Sequence, residues 1–266
     1  MNLSGRKTDW FSLSLMALGG LVLLFIVAPL AGLFLNTDLA EFGNVARESD
    51  VRSSVWLTLW TSMAATMACA VAGIPLAYVL ARKQFPLKGL VNALVDIPIV
   101  IPHSAAGIAV LGLISRNSFL GESADKFGFR FVSSPIGIMV AMAFVSVPFL
   151  INSARDGFAA VPERLEKVAL GLGASPARAF FTISLPLAWR SILSGLILMW
   201  ARGMSEFGAV IIIAYHPMTT PVMIYERFGD YGLKYARPVS ALFICVCLAF
   251  FLVLRIMSRE NKHAER

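Results

Sequence analysis

Apolar residues fall into six long blocks, at about 11–35, 55–80, 90–114, 134–153, 187–215 and 238–257, with charged residues gathered between them. A helix needs roughly 20 mostly apolar residues to cross a bilayer, and each block supplies about that many. The pattern predicts an all-α, polytopic membrane protein with about six transmembrane helices, forming a single transmembrane domain over residues 1–266. The first block follows basic residues, as a signal peptide would. It is too long for one and no small-residue cleavage site clearly follows it, so it reads as a helix.

Composition agrees with lipid as the solvent. The chain is 58% hydrophobic and 15% charged, with a mean hydropathy of +0.74, whereas soluble domains sit near 45–50% apolar and 25% charged. The net charge of +7 lies mainly in loops flanking the apolar blocks. It reads as topogenic charge, with no basic groove for nucleic acid. A cytoplasmic N-terminus puts about fourteen Lys and Arg inside, from Arg6 and Lys7 through Arg82, Lys83, Arg164 and Lys167 to Lys262 and Arg266, against about eight outside. Both termini are therefore expected in the cytoplasm. Cys69, Cys245 and Cys247 lie inside apolar blocks without metal-ligand spacing and read as small core residues.

Within the blocks, Pro75, Pro98, Pro102 and Pro148 are expected to kink or break their helices, which suits a transporter better than a passive anchor. Ala64, Ala68 and Ala72 make a stripe of small residues at four-residue spacing. Such a stripe lets helices pack closely in lipid, or it reflects only the frequency of alanine in helices.

The loop at about 156–186 carries the most specific pattern. Pro162 suits a first helical turn, and Glu163 and Glu166 follow near its positive end. Leu165, Val168, Ala169 and Leu172 recur at helical spacing, Gly173 supplies a stop, and Ser175-Pro176 starts a second helix. Two short helices joined by a glycine turn result. A DNA-reading helix–turn–helix fits poorly between two membrane spans; a lever pressed by a soluble partner fits well.

The run Glu166-Lys167-Val168-Ala169-Leu170-Gly171-Leu172-Gly173-Ala174, followed by Ile183-Ser184-Leu185-Pro186, resembles the "EAA…G…I-x-LP" loop of permeases of binding-protein-dependent ABC importers. Lys167 and Val168 stand where that pattern usually has Glu and Ala. The resemblance implies a type I permease fold and a loop, Glu163 to Pro176, that docks into a nucleotide-binding subunit. It also implies a homodimer with two ATPase copies and an extracytoplasmic oxyanion-binding protein. The chain has no glycine-rich phosphate loop ending in Gly-Lys-Ser/Thr. ATP and Mg are thus expected to be used by the partner ATPase, with no cofactor held here and no enzyme activity of its own.

Arg202 and Glu206 are the strongest charges inside a predicted span, placed on one helical face by their four-residue spacing. They read either as a structural ion pair or as the lining of a pathway or gate. His103 and Ser104, after Pro102, are candidates for the same pathway; a lone histidine there is more often a packed, hydrogen-bonded residue. Glu206-Phe207-Gly208-Ala209, the downstream Pro217-Met218-Thr219-Thr220-Pro221 and Ile224-Tyr225-Glu226-Arg227-Phe228, and Ile101 to Ala109 resemble the molybdate/tungstate branch of the family, with sulfate as the alternative cargo. A secondary transporter would want inverted repeats and more embedded carboxylates. His103, His216 and His263 have no nucleophile and carboxylate arranged as a triad.

Overall fold

The computed structural model describes residues 10–260, with side chains to residue 252. Arg6, Lys7, Lys262 and Arg266, on which part of the orientation argument rests, lie outside the described residues, as do the side chains of Arg255 and Arg259. The elements are α1 (Trp10–Leu35), α2 (Leu39–Arg47), α3 (Ser49–Arg82), α4 (Lys88–Val100), α5 (His103–Ile114), α6 (Phe119–Lys126) and α7 (Pro135–Ala160), then α8 (Glu163–Gly171), α9 (Pro176–Ala179), a π-helical turn at Phe180–Ser184, α10 (Leu185–Met204), α11 (Gly208–Ile213), α12 (Thr220–Tyr231) and α13 (Leu233–Glu260). Among the described residues every regular element is helical. Among those residues five helices are long and apolar enough to cross a membrane, and the α4–α5 pair makes up to a sixth.

Two of the six expected spans are interrupted. The block at 90–114 divides at Ile101-Pro102, where α4 and α5 meet at 113°. Proline has no N–H to donate and disfavours helix in the residue before it; Ile101 is accordingly extended. Pro75, Pro98 and Pro148, by contrast, stay inside continuous helices. The block at 187–215 also divides, at Ser205–Phe207, with no proline present. Its true start is earlier, because α9, the π turn and α10 form one helix over Pro176–Met204. The second short helix of the loop is therefore the loop-side end of a span, and residues 156–160 belong to α7, which leaves a loop of about 161–175.

Helices α3, α7 and α10 form the centre of the bundle. Antiparallel α7 and α10 approach at small residues: a side chain on Gly157 would meet Ser191 Cβ at 2.5 Å, and one on Gly195 would meet Ser153 Cβ at 2.8 Å. Close backbone approach of this kind replaces the hydrophobic drive that lipid removes. The face that α3 buries is not the alanine stripe, since Ala68 and Ala72 are exposed. It is a run of Ser54, Thr58, Ser62, Ala65 and Thr66, continued by Gly73 and Ala77. The hydroxyls of Thr58, Ser62 and Thr66 return to carbonyls one turn back at 2.7, 2.7 and 2.8 Å, so a polar face is buried with its donors satisfied. One apolar core packs Ala65, Ala106, Val110, Met142, Ala209 and Val210 between α3, α5, α7 and α11. A second, around Leu80, Phe158 and Ile192, lies toward the loop. Helix α1 buries no residue.

Candidate functional site

Helix α8 begins after Pro162 and stops as the sequence predicts. Gly173 has φ of +90°; its N–H reaches Leu170 O and that of Ala174 reaches Ala169 O, both at 3.0 Å. This pair of bonds is a Schellman stop, whose left-handed residue glycine adopts without a Cβ penalty. Ser175 then caps the next helix, its hydroxyl accepting from Arg178 N at 3.2 Å.

The two sides of α8 differ in kind. Glu163, Leu165, Lys167, Val168, Leu170 and Leu172 are exposed, Leu172 at 84%, and Lys167 pairs with Glu163 at 3.2 Å. Ala169 and Ala174 are half-buried, Ser175 and Pro176 exposed. Glu166 turns the other way. Its carboxylate accepts from Arg82 Nε at 2.8 Å, Tyr78 Oη at 2.9 Å and Ser184 Oγ at 2.7 Å. Arg82 also donates to Val161 O at 2.8 Å. Burial alone would push the Glu166 carboxyl up, but the bonds from Ser184, Tyr78 and Arg82, with Arg82's charge, outweigh it and hold the group below its ordinary value. Glu166 thus fastens the loop to α3 and the π turn, while the exposed apolar residues beside it have no cover among the described residues. Tyr78 was missed in the sequence and Arg82 counted only as topogenic charge, although their four-residue spacing beside an acidic loop is a usable signal.

The second cluster lies where the two interrupted spans meet. Arg202, in the last turn of α10, and Glu206, in the break that follows, pair at 2.9 Å. Arg202 Nη2 is 2.8 Å from the His103 ring nitrogens, and His103 Nδ1 is 3.2 Å from Glu206 Oε2. Glu206 is fully buried, and its other oxygen accepts Ala209 N at 2.8 Å, capping α11. Sequence reading expected Arg202 and Glu206 on one continuous helix; they pair, but across the point where the helix ends. His103, 99 residues away in sequence, joins them as the first residue of α5. Ser104 is exposed beside it.

At the end of α3 remote from the loop, Asp50, Trp56, Trp60, His216, Glu226 and Tyr231 line an open cavity of about 680 Å³. Thr220 N donates to Thr58 Oγ1 at 2.9 Å, tying α12 to α3 near that cavity.

Comparison with known proteins fits this layout. Residues 73–261 match the model of the family described as "Binding-protein-dependent transport system inner membrane component". The chain is 45% identical over 248 residues to the molybdate/tungstate transport system permease protein WtpB of Thermococcus kodakarensis, covering 92% of this chain and 95% of that one. It is 30% identical to the sulfate transport system permease protein CysT of Synechocystis, covering 97% and 93%. Among solved structures, a bacterial ABC transporter involved in the import of the acidic polysaccharide alginate superposes with a TM-score of 0.74 at 19% identity, covering 96% of each chain; this likeness concerns the fold. The chain is a multi-pass inner-membrane transport component and belongs to the binding-protein-dependent permease family.

Proposed function

We propose that this chain is the membrane-spanning subunit of an ATP-driven importer of tetrahedral oxyanions, molybdate or tungstate. The observation that carries the coupling is the exposed apolar side of α8, held rigidly from behind by Glu166. A docking helix needs such a face, and a latch makes it transmit force. Two copies form the pathway, each engaging one ATPase subunit through Glu163, Leu165, Lys167, Leu172 and the Gly173 turn. With α8 on the cytoplasmic side, both termini lie inside. Closing of the ATPases on ATP and Mg presses the loops together and turns the pathway outward, where a binding protein releases its cargo. The alginate relative solved in complex with a periplasmic protein supports that partner. Identity of 45% to a molybdate/tungstate permease against 30% to a sulfate permease favours the first cargo.

The test is co-expression with the cognate ATPase and binding protein, followed by uptake of molybdate, tungstate and sulfate into proteoliposomes containing ATP. Uptake of the first two that stops without ATP is expected. Preferential uptake of sulfate overturns the cargo, and an ATPase that does not co-purify overturns the coupling.

A further inference from the structure

We propose that Arg202 and the start of α5 form a transient station for the oxyanion inside the membrane, with Glu206 as the placeholder that occupies Arg202 between passages. This deepens the proposed function and rests on its reading of the cargo as a tetrahedral dianion.

The first support is an asymmetry of burial. An ion pair that serves packing alone is best sealed on both sides, because a polar surface within a span cannot face lipid without cost. Glu206 is sealed, with 0% side-chain exposure, yet Arg202 keeps 20% and His103 keeps 39%. Ser104 and Ser205 are exposed beside them, and Arg202 Nη1 reaches the Ser205 hydroxyl at 3.3 Å. Arg202, His103 and the two serines thus keep exposed surface, and the carboxylate sits behind them.

The second support is the α5 terminus. Pro102 precedes it without any side-chain cap, and the first amide bonded within the helix is Ala106, to Pro102 O at 3.0 Å. The amides of the first turn therefore lie ahead of the helical ladder, at a positive helix end, next to a guanidinium. Gly208 brings the α10–α11 break against this point: a Cβ there would sit 2.8 Å from His103 Cβ and 3.4 Å from Ser104 N. The Arg202 guanidinium, the His103 ring and the first-turn amides of α5 are thus neighbours, a donor set suited to a tetrahedral dianion, while the Ser205 hydroxyl donates back to Arg202 O at 3.0 Å.

Glu206 explains why such a site would pass its ligand on. An unopposed arginine would hold a dianion, and transport needs binding weak enough to release. A carboxylate that competes for Arg202 supplies the weakening.

The test uses the complete complex in nanodiscs, without binding protein, with molybdate as the probe, and uptake in proteoliposomes in parallel. Glu206→Gln keeps an acceptor for Ala209 N but frees Arg202; it is expected to retain molybdate about tenfold more tightly than wild type while turning over more slowly. Arg202→Gln is expected to abolish retention and uptake. The double variant Arg202→Gln/Glu206→Gln removes both charges and so any penalty of an unpaired ion. A purely structural pair predicts that it recovers uptake; the station predicts that it does not. Recovery in the double variant, or no gain in retention with Glu206→Gln, overturns the inference. If Glu206→Gln fails to assemble, the double variant still decides. Wild-type complex that moves no molybdate overturns the proposed function instead, so the two failures are distinct.

Discussion

Arg82, the last residue of α3, places its guanidinium 2.8 Å from Glu166 on α8, so the helix that offers an exposed apolar face is fixed to the bundle through its opposite face. The side chains are only 7% and 13% exposed, which keeps the pair outside the weak class of fully solvated surface bridges. Arg82→Ala leaves the carboxylate with Tyr78 and Ser184 but without its cation. The expected cost is about 1–2 kcal/mol, with a larger loss of coupling: the ATPase still binds, and its hydrolysis no longer drives uptake. Uptake per ATP hydrolysed is the measurement.

The same latch sets a pH dependence. Glu166 titrates below its ordinary value in the folded protein, so its stabilisation is complete above the ordinary carboxylate range and is lost as pH falls through the depressed value. Amide exchange in α8, corrected for intrinsic pH effects, is expected to accelerate on acidification in the wild type. Glu166→Gln is expected to exchange faster at neutral pH and to show no such acid transition.

At Gly173 the constraint is conformational, because φ is +90° and nothing stands within 4 Å of an added Cβ. Gly173→Ala is expected to cost about 1–2 kcal/mol of local stability, and Gly173→Asn less, since asparagine tolerates left-handed backbone. Amide exchange at Gly173 and Ala174 reads the fraying directly.

Leu172, 84% exposed, separates docking from folding. Leu172→Glu is expected to change stability by no more than about 0.5 kcal/mol and to remove the ATPase from the purified complex. Retention of the ATPase at wild-type stoichiometry contradicts the docking role of this face.

The loop between α7 and α9 was readable because each of its stops is local. Pro162, Gly173 and Ser175-Pro176 act within a turn of themselves, and the structure uses all of them. The break at Ser205–Phe207 was not readable, since residues 187–215 are mostly apolar and contain no proline. There a carboxylate caps a new helix while pairing with a residue in the last turn of the old one. His103 meets Arg202 only because α5 and α11 lie side by side, which no local pattern encodes. The alanine stripe, which left two readings open, shows a related limit: spacing identifies a face, but the rotation of α3 decides which face is buried, and it buried the threonines.

Helices α5 and α11 touch almost backbone to backbone, since a Cβ on Gly107 would fall 2.9 Å from Ala209 Cα and 3.1 Å from Ala209 O. Gly107→Ala is accordingly expected to force them apart at about 1–3 kcal/mol, visible as a lowered Tm in detergent. With so little space between them, α5 and α11 are packed as a single unit, entered from one side of the chain at the Pro102 bend and from the other at Glu206.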